Sequence, residues 1–420
     1  MLKPSLPWRP VGTNPKETTE AMATEKRVLF VGHSADRSGA PILLLHLLRW
    51  LRSHGRLDMR LVLTHGGPLE EDYRTLLPTT VISRKAVPSV AGRLGDLPLI
   101  GSPLRRAWRS YRNRSAAPAQ DPHVLYVNTV ASAAAARDLM GGRSIPLVAH
   151  VHELDAAIRA NATADQVRWL ASTAAHTLAA SDAVRDTLVS NHGFRPTTTH
   201  VVPTFIDAAP ILSLDRSAER SRIRTLLGIP ECAVVVAGCG VIEHRKGTDL
   251  FVRMAESVVS SPAGSPVHFL WIGRNGADVM FVDEVRRAAG PLTESGRMHF
   301  AGEQPITGPW FAAADIFVLP SREEPMGMVA LEAATAGCAV ACFSDAGGLP
   351  GVLGADGGLV VPLEDSAKLA EAVLALVVDG ALRGSLARVA AHKVITGYDV
   401  GVAAPRILEF VEATACAAAP

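Results

Sequence analysis

The sequence predicts an α/β protein made of two doubly wound, parallel-sheet domains facing each other across a cleft. Three observations carry this. Apolar runs of four to seven residues alternate with helical patterns along nearly the whole chain. The runs are continuous rather than alternating, which marks parallel strands covered on both faces. They fall into two series, separated by a polar, charged segment at Asp207–Arg222 that has no strand pattern. A chain of 420 residues suits two such domains, each large enough to bury a core without disulfides or metals.

Taken in order, residues 1–26 are rich in Pro, Thr, Glu and Lys, have no apolar core of a signal peptide, and read as a disordered lead-in. The first domain is expected over 27–206, with strands at Arg27–Gly32, Arg60–Thr64, Val124–Val127, Pro146–His152, Thr177–Ala180 and His200–Pro203. Its first strand runs into His33-Ser34-Ala35-Asp36-Arg37-Ser38-Gly39-Ala40 and then a helix beginning near Pro41. Leu43, Leu44, Leu47, Leu48 and Leu51 give that helix one apolar face. Gly39 at its positive end lets a backbone or an anion approach closely. Arg93, Arg105, Arg106, Arg109, Arg112 and Arg114, interleaved with Trp108 and Tyr111, read as a solvated stretch or as an acceptor or membrane-surface patch.

The linker is expected over 207–222 and the second domain over 223–396. Strands are expected at Ala233–Gly238, Val267–Gly273, Met298–Ala301, Ile316–Pro320, Ala339–Phe343 and Gly358–Val361. Residues 397–420 are expected to form a helix that packs back on the first domain.

Composition narrows the function. Lys plus Arg number 42 against 41 Asp plus Glu, a formal charge of +1, which is far from the basic balance of a dedicated nucleic-acid binder. The five cysteines, Cys232, Cys239, Cys338, Cys342 and Cys416, are odd in number and confined to the second half. They cannot staple the whole chain, and a reducing, cytoplasmic setting is expected. Cys338 and Cys342 stand four apart without a nearby His, so no metal site is expected there.

Ligands of such sheets bind beyond the carboxyl ends of the strands, so the loops there carry the chemistry. Gly238-Cys239-Gly240-Val241-Ile242-Glu243-His244-Arg245-Lys246-Gly247 follows a strand. A dinucleotide fingerprint needs glycine where Glu243 stands, which demotes a nicotinamide cofactor. The adjacent Arg245 and Lys246 point instead to a diphosphate clamp. Ser321 to Ala333 follows another strand, with Glu324 in the loop and Glu332 in a helix. Eight helical residues span about 12 Å, the reach of a nucleotide sugar from hexose to ribose. One carboxylate can grip sugar hydroxyls and the other ribose hydroxyls, with helix-start amides meeting the phosphates between them. The later pair Gly347-Gly348 can form a backbone nest for phosphate.

The run Glu324-Pro325-Met326-Gly327 through Glu332-Ala333, followed by Gly347-Gly348, resembles the E-x7-E signature of retaining nucleotide-sugar glycosyltransferases of the GT-B fold, family 4. Ser38-Gly39-Ala40, Leu178 to Val184, Arg245-Lys246-Gly247 and His150-Val151-His152-Glu153 resemble further family segments, so the likeness spans about residues 27–395. The sequence departs from the family pattern at Val241, at Pro350-Gly351 and at Thr204-Phe205, and these changes bear on the donor's identity.

The resemblance implies roles. His152, Glu324, Lys246 and Arg245 would be the catalytic set, with Lys246 and Arg245 neutralising the diphosphate and His152 beside the donor sugar. Glu324 would hold sugar hydroxyls and Glu332 the ribose. Gly39, Gly240, Met326, Gly327, Met328, Gly347, Gly348 and Leu349 would complete the donor site, and Asp36, Arg37 and Ser38 would meet the acceptor. The co-substrate would be a nucleoside-diphosphate sugar, a UDP-sugar before a GDP-sugar, with no tightly bound cofactor and no metal. The other partner would be a hydroxyl acceptor, with contact to the inner membrane face through Arg93–Arg114 as a further expectation. A cyclitol-coupling relative, an epimerase and a non-catalytic nucleotide-sugar binder are the alternatives.

Overall fold

The computed structural model describes residues 26–55, 57–84, 110, 113–262 and 267–417. The expected lead-in lies outside the described residues except for Lys26, as does the arginine stretch from Arg93 to Arg112 except for Ser110.

The first sheet has seven strands: β1 (Lys26–Gly32), β2 (Leu57–Leu63), β3 (Thr79–Val81), β4 (Val124–Asn128), β5 (Leu147–Val151), β6 (Ala174–Ala179) and β7 (Thr199–Val201). The second has six: β8 (Val234–Cys239), β9 (Val267–Ile272), β10 (Met298–Gly302), β11 (Ile316–Leu319), β12 (Ala339–Phe343) and β13 (Leu359–Val361). Their orders are β3-β2-β1-β4-β5-β6-β7 and β10-β9-β8-β11-β12-β13, and every pairing between these strands is parallel. Each sheet starts in its middle, winds one way, and returns to the other side of its first strand. The order therefore reverses between β1 and β4 and between β8 and β11, which is where doubly wound sheets bind ligands.

Burial explains the continuous apolar runs. In β1, Val28 and Phe30 enter the core on one face of the sheet while Leu29 and Val31 enter that on the other. In β8, Val235 and Ala237 face one core and Val236 the opposite one. Truncating a side chain as enclosed as Phe30 to alanine costs about 3–5 kcal/mol.

Two features differ from the sequence reading. β3 is three residues long, contains two threonines and lies at a sheet edge, too short to leave a hydrophobic run. Residues 207–222 are largely helical rather than a free linker, in the helices Ala209–Leu212 and Arg216–Leu227. Asp215 caps the second of these by accepting from Ala218 N at 3.0 Å. Arg224, fully buried, binds Asp315 Oδ2 at 2.8 Å and the Ala313 and Ala233 carbonyl oxygens. Arginine there is an internal anchor onto the second sheet, although its composition reads as solvent-facing.

The chain crosses between the sheets twice, at one place. Ile206 N donates to Tyr398 O at 3.0 Å and Val400 N donates to Ile206 O at 2.8 Å. After this bridge the helix Val400–Cys416 lies on the first domain, with Ala404, Ile407 and Val411 in the same core as Leu44, Leu48 and Val148. The carboxyl edges of the sheets meet as well: a Cβ added to Gly348 would stand 3.0 Å from the Cβ of Ser181. Among the described residues no helix is long and apolar enough to cross a membrane.

Candidate active site

The second-domain half of the site is built where β8 and β11 lie side by side. The loop after β8 carries Arg245 and Lys246 in a single 3-10 turn, His244–Lys246, closed by Gly247. The loop after β11 carries Ser321 to Gly327. Lys246 Nζ is hydrogen-bonded and ion-paired to Glu324 Oε2, and Ser321 Oγ donates to the same oxygen at 3.2 Å. Burial pushes the Glu324 carboxyl up, but Lys246 and Arg245 outweigh it and hold the group below its ordinary value. Arg245 reaches Glu243 Oε1 at 2.9 Å and the Glu323 carbonyl at 3.0 Å.

The helix Met328–Thr335 starts at Gly327, whose φ of +80° places it in the left-handed region. Glu332 lies one turn inside it, almost enclosed, with Thr307 Oγ1 donating to its Oε2 at 2.7 Å. Burial pushes its carboxyl up to about 7, and the Thr307 bond only partly opposes this. After β12, Gly347 forms an isolated bridge with Glu324, and Glu324 N donates to Ala346 O at 2.7 Å. Three loops thus converge on Glu324, while Glu332 is held by Thr307.

The first-domain half lies at the reversal between β1 and β4 and on β5. His152 Nε2 is 2.8 Å from Asn128 Oδ1, which fixes its ring at the end of β5. His150, fully buried, pairs with Tyr126 Oη at 2.6 Å, and the two imidazoles stand 4.1 Å apart between centroids. Burial pushes His152 down to about 3, with His33 a lesser cause, so the ring is neutral at ordinary pH. His33 Nδ1, His150 Nε2 and His152 Nδ1 are buried without a hydrogen-bond partner. Buried polar atoms are normally satisfied, so three orphans at the carboxyl ends of β1 and β5 point to a ligand that supplies the missing bonds. Glu153 Oε2 accepts from His152 N at 2.9 Å, and burial pushes its carboxyl up to about 7.

The structure brings Lys246, Arg245, Glu324, Gly327 and Gly347 together, with Gly240 against the Lys246 stem. Met326, Met328 and Leu349 are buried beside them, so their side chains pack while their backbone borders the site. Gly39 opens the helix Gly39–His54, and a Cβ there would meet open space. Asp36 is occupied locally: Ser34 Oγ donates to it at 2.9 Å and Ser38 N at 3.0 Å. Arg37 is only partly covered, and Ser38 stands at the helix N-cap position with its hydroxyl turned to Asp36 rather than to the helix amides. Among the described residues no group of three His, Cys, Asp or Glu side chains is arranged to hold a metal ion, and all five cysteines are unpaired.

Sequence reasoning missed Asn128, Thr307 and Ser321, each a hydrogen-bonding partner of a predicted site residue. Asn128 ends a strand that is otherwise apolar, and Ser321 is the first hydroxyl after β11, signals available in the sequence. Thr307, far from Glu332 in sequence, left none.

Two sheets of this winding, edge to edge across paired loops, define a GT-B protein. Residues 37–209 match the family model for glycosyltransferase family 4, and residues 233–379 match that for glycosyl transferases group 1. The chain belongs to glycosyltransferase family 4.

A lipopolysaccharide core biosynthesis glycosyltransferase of Rhizobium meliloti is 31% identical over 197 residues, covering 47% of this chain and 52% of that protein. The D-inositol 3-phosphate glycosyltransferase 1 of Catenulispora acidiphila is 28% identical over 228 residues, covering 53% of each. The chain thus spans about half the length of these curated relatives. In fold, Anabaena HepE, solved in complex with UDP and glucose, superposes with a TM-score of 0.74 at 20% identity, over 92% of this chain and 100% of that one. WaaG, a glycosyltransferase involved in lipopolysaccharide biosynthesis, gives 0.65 at 15% identity, over 91% and 99%.

Proposed function

We propose that this protein is a retaining glycosyltransferase that moves a sugar from a nucleoside-diphosphate sugar to an acceptor hydroxyl on a small-molecule natural product, a glycan or a lipid-linked acceptor. The observation that carries the reading is the Lys246–Glu324 pair, with the buried Glu332 in the following helix, at the reversal of the second sheet, while His152 and its orphaned neighbours stand at the carboxyl strand ends of the first. The second domain then takes the donor and the first the acceptor. Lys246 and Arg245 meet the diphosphate, Glu324 the sugar hydroxyls and Glu332 the ribose. A UDP-sugar is the first expectation, supported by the UDP and glucose bound to Anabaena HepE. The relatives act in lipopolysaccharide core and inositol phosphate glycosylation, which supports a polyhydroxylated acceptor.

In the reaction the bond from the anomeric carbon to the diphosphate oxygen breaks, and the acceptor oxygen bonds to that carbon on the same face. The departing diphosphate oxygen takes the acceptor's proton. Charge grows on that oxygen as the bond breaks, and Lys246, Arg245 and the amides opening the helix Met328–Thr335 are placed to offset it, without a call on a metal ion. His152, neutral and fixed by Asn128, offers the sugar a hydrogen bond without a competing charge.

Thermal unfolding with UDP, GDP, ADP or dTDP tests the donor half. A ligand at about 100 times its dissociation constant adds roughly 2.7 kcal/mol and raises the midpoint by a few degrees. A shift with one nucleotide names the base, and NMR of the product's anomeric proton then reads retention. No shift with any nucleoside diphosphate would overturn the reading.

A further inference from the structure

We infer that Arg322 is a positioning residue that holds Lys246 and Glu324 in register for transfer, an inference that rests on the function proposed above. Arg322 opens the loop leading to Glu324, and every nitrogen of its guanidinium is engaged by protein. Nη1 and Nη2 make a two-pronged contact with Asp249 at 2.9 and 2.8 Å. Nη1 also donates to the His244 carbonyl at 2.7 Å, and Nε to Glu364 Oε2 at 2.8 Å. Its backbone N donates to Arg245 O at 2.8 Å, and Arg245 returns a bond to the Glu323 carbonyl at 3.0 Å.

The geometry has a direct consequence. His244 and Arg245 precede Lys246, while Asp249 lies in the first turn of the helix Thr248–Ser260 just after it, so Arg322 grips the lysine's turn on both sides. Glu324 stands two residues beyond Arg322. One side chain therefore ties the two loops at the point where their charged groups must meet the same diphosphate-linked sugar. The Arg322 and Asp249 side chains are only 14% and 17% exposed, so water and salt weaken the contact little. Two-pronged contact fixes angle as well as distance, which a lysine's single ammonium cannot do. The outer prong ends on Glu364, a non-glycine residue at φ +60°, a conformation held by its surroundings. With no guanidinium nitrogen uncommitted, Arg322 acts through the loops and not on the donor.

The test measures transfer kinetics and UDP affinity for Arg322→Gln, Arg322→Lys, Lys246→Met and the double variant Arg322→Gln with Lys246→Met. Arg253→Gln serves as the control, since that exposed arginine approaches Asp249 only to 3.9 Å. Arg322→Gln is expected to lower kcat/KM about tenfold or more through kcat, Arg322→Lys to recover part of it, and Arg253→Gln to stay at the wild-type rate. If Arg322 acts through Lys246, the double variant is no worse than Lys246→Met within about threefold, as expected for groups working as one unit. Losses that multiply in the double variant, or a normal kcat in Arg322→Gln, would overturn the inference. Should Arg322→Gln fail to fold, the cycle run with Arg322→Lys is judged by the same rule. Wild-type protein that binds no nucleoside diphosphate would sink the transferase reading itself; wild type that binds UDP beside an unaffected Arg322→Gln sinks only this inference.

Discussion

The ammonium of Lys246 rests on the carboxylate of Glu324, and the pair is nearly closed off, with side-chain exposures of 15% and 11%. Each charge is thus compensated without a ligand, and on the proposed reading a diphosphate would draw Lys246 partly away while the sugar's hydroxyls take up Glu324. The energetic logic is that of a buried pair, in which removing one partner strands the other.

Lys246→Met should therefore do two separable things. It leaves Glu324 enclosed without its cation, at a cost of up to about 3–5 kcal/mol, and it removes the diphosphate's counter-charge. Adding Glu324→Gln should restore much of the lost thermal midpoint by removing the stranded charge, yet leave transfer no faster than the reduced, measurable rate of Lys246→Met alone. Calorimetry and initial rates on the three variants read the two effects independently. Recovery of transfer in the double variant would contradict the diphosphate role of Lys246.

Glu332 gives a pH dependence of known sign. Its folded carboxyl is pushed up to about 7 from an ordinary 4.5, so the folded state holds a proton that the unfolded chain has lost. Stability from this group is present below about pH 4.5 and falls as pH rises to about 7. Ribose hydroxyls favour the ionised form, so nucleotide affinity should rise between pH 6 and 8. Glu332→Gln should flatten that rise and raise the ligand-free midpoint at pH 8. Glu153, also pushed up to about 7, contributes a stability slope of the same sign, so Glu332→Gln removes only its share. An affinity profile as steep in Glu332→Gln as in wild type would remove Glu332 from the ribose site.

Both sheets and the cluster after β8 and β11 were legible because parallel strands leave continuous apolar runs and because Glu324, Glu332 and Lys246 are charges beside them. β3 was not, being only three residues long with two of them threonine. The helix Arg216–Leu227 was hidden by its own polarity, since a buried Arg224 looks like any surface arginine until Asp315 is seen opposite it. The hydrogen-bond partners that fix the glutamates and His152 come from distant segments, and single residues such as Thr307 carry no local pattern. Asp36 illustrates the reverse: its charge stood out in sequence, while the fold uses it first to shape its own turn.

Gly347 and Gly348 should respond differently to alanine. At Gly347, with φ +151°, a Cβ would fall 1.6 Å from the Glu324 carbonyl, an overlap with backbone that no rotamer relieves. Gly347→Ala should lower the thermal midpoint and displace Glu324. At Gly348 a Cβ would meet Pro325 O at 2.8 Å and the Ser181 Cβ, across the gap between domains, at 3.0 Å. Gly348→Ala should cost less in midpoint but slow transfer by obstructing the approach of the domains, with UDP binding less affected than kcat. Equal effects of the two substitutions on midpoint and rate would argue against this division.

Asn128 holds His152 through Nε2, and its replacement tests what the neutral ring does. Asn128→Ala frees the imidazole and should cost about tenfold in kcat, the scale expected when an orienting partner is lost. Asn128→Asp places a carboxylate 2.8 Å from the same nitrogen and favours the imidazolium, raising the His152 value from about 3 toward the assay range. Wild type should then show no His152 ionisation in its rate profile above pH 5, whereas Asn128→Asp should acquire one. A charged ring beside the sugar would oppose the positive charge that develops at the anomeric carbon as the diphosphate departs. Activity in Asn128→Asp should therefore be lowest at acid pH and recover as His152 loses its proton. A profile that stays flat and fast through that range would remove His152 from the reacting centre.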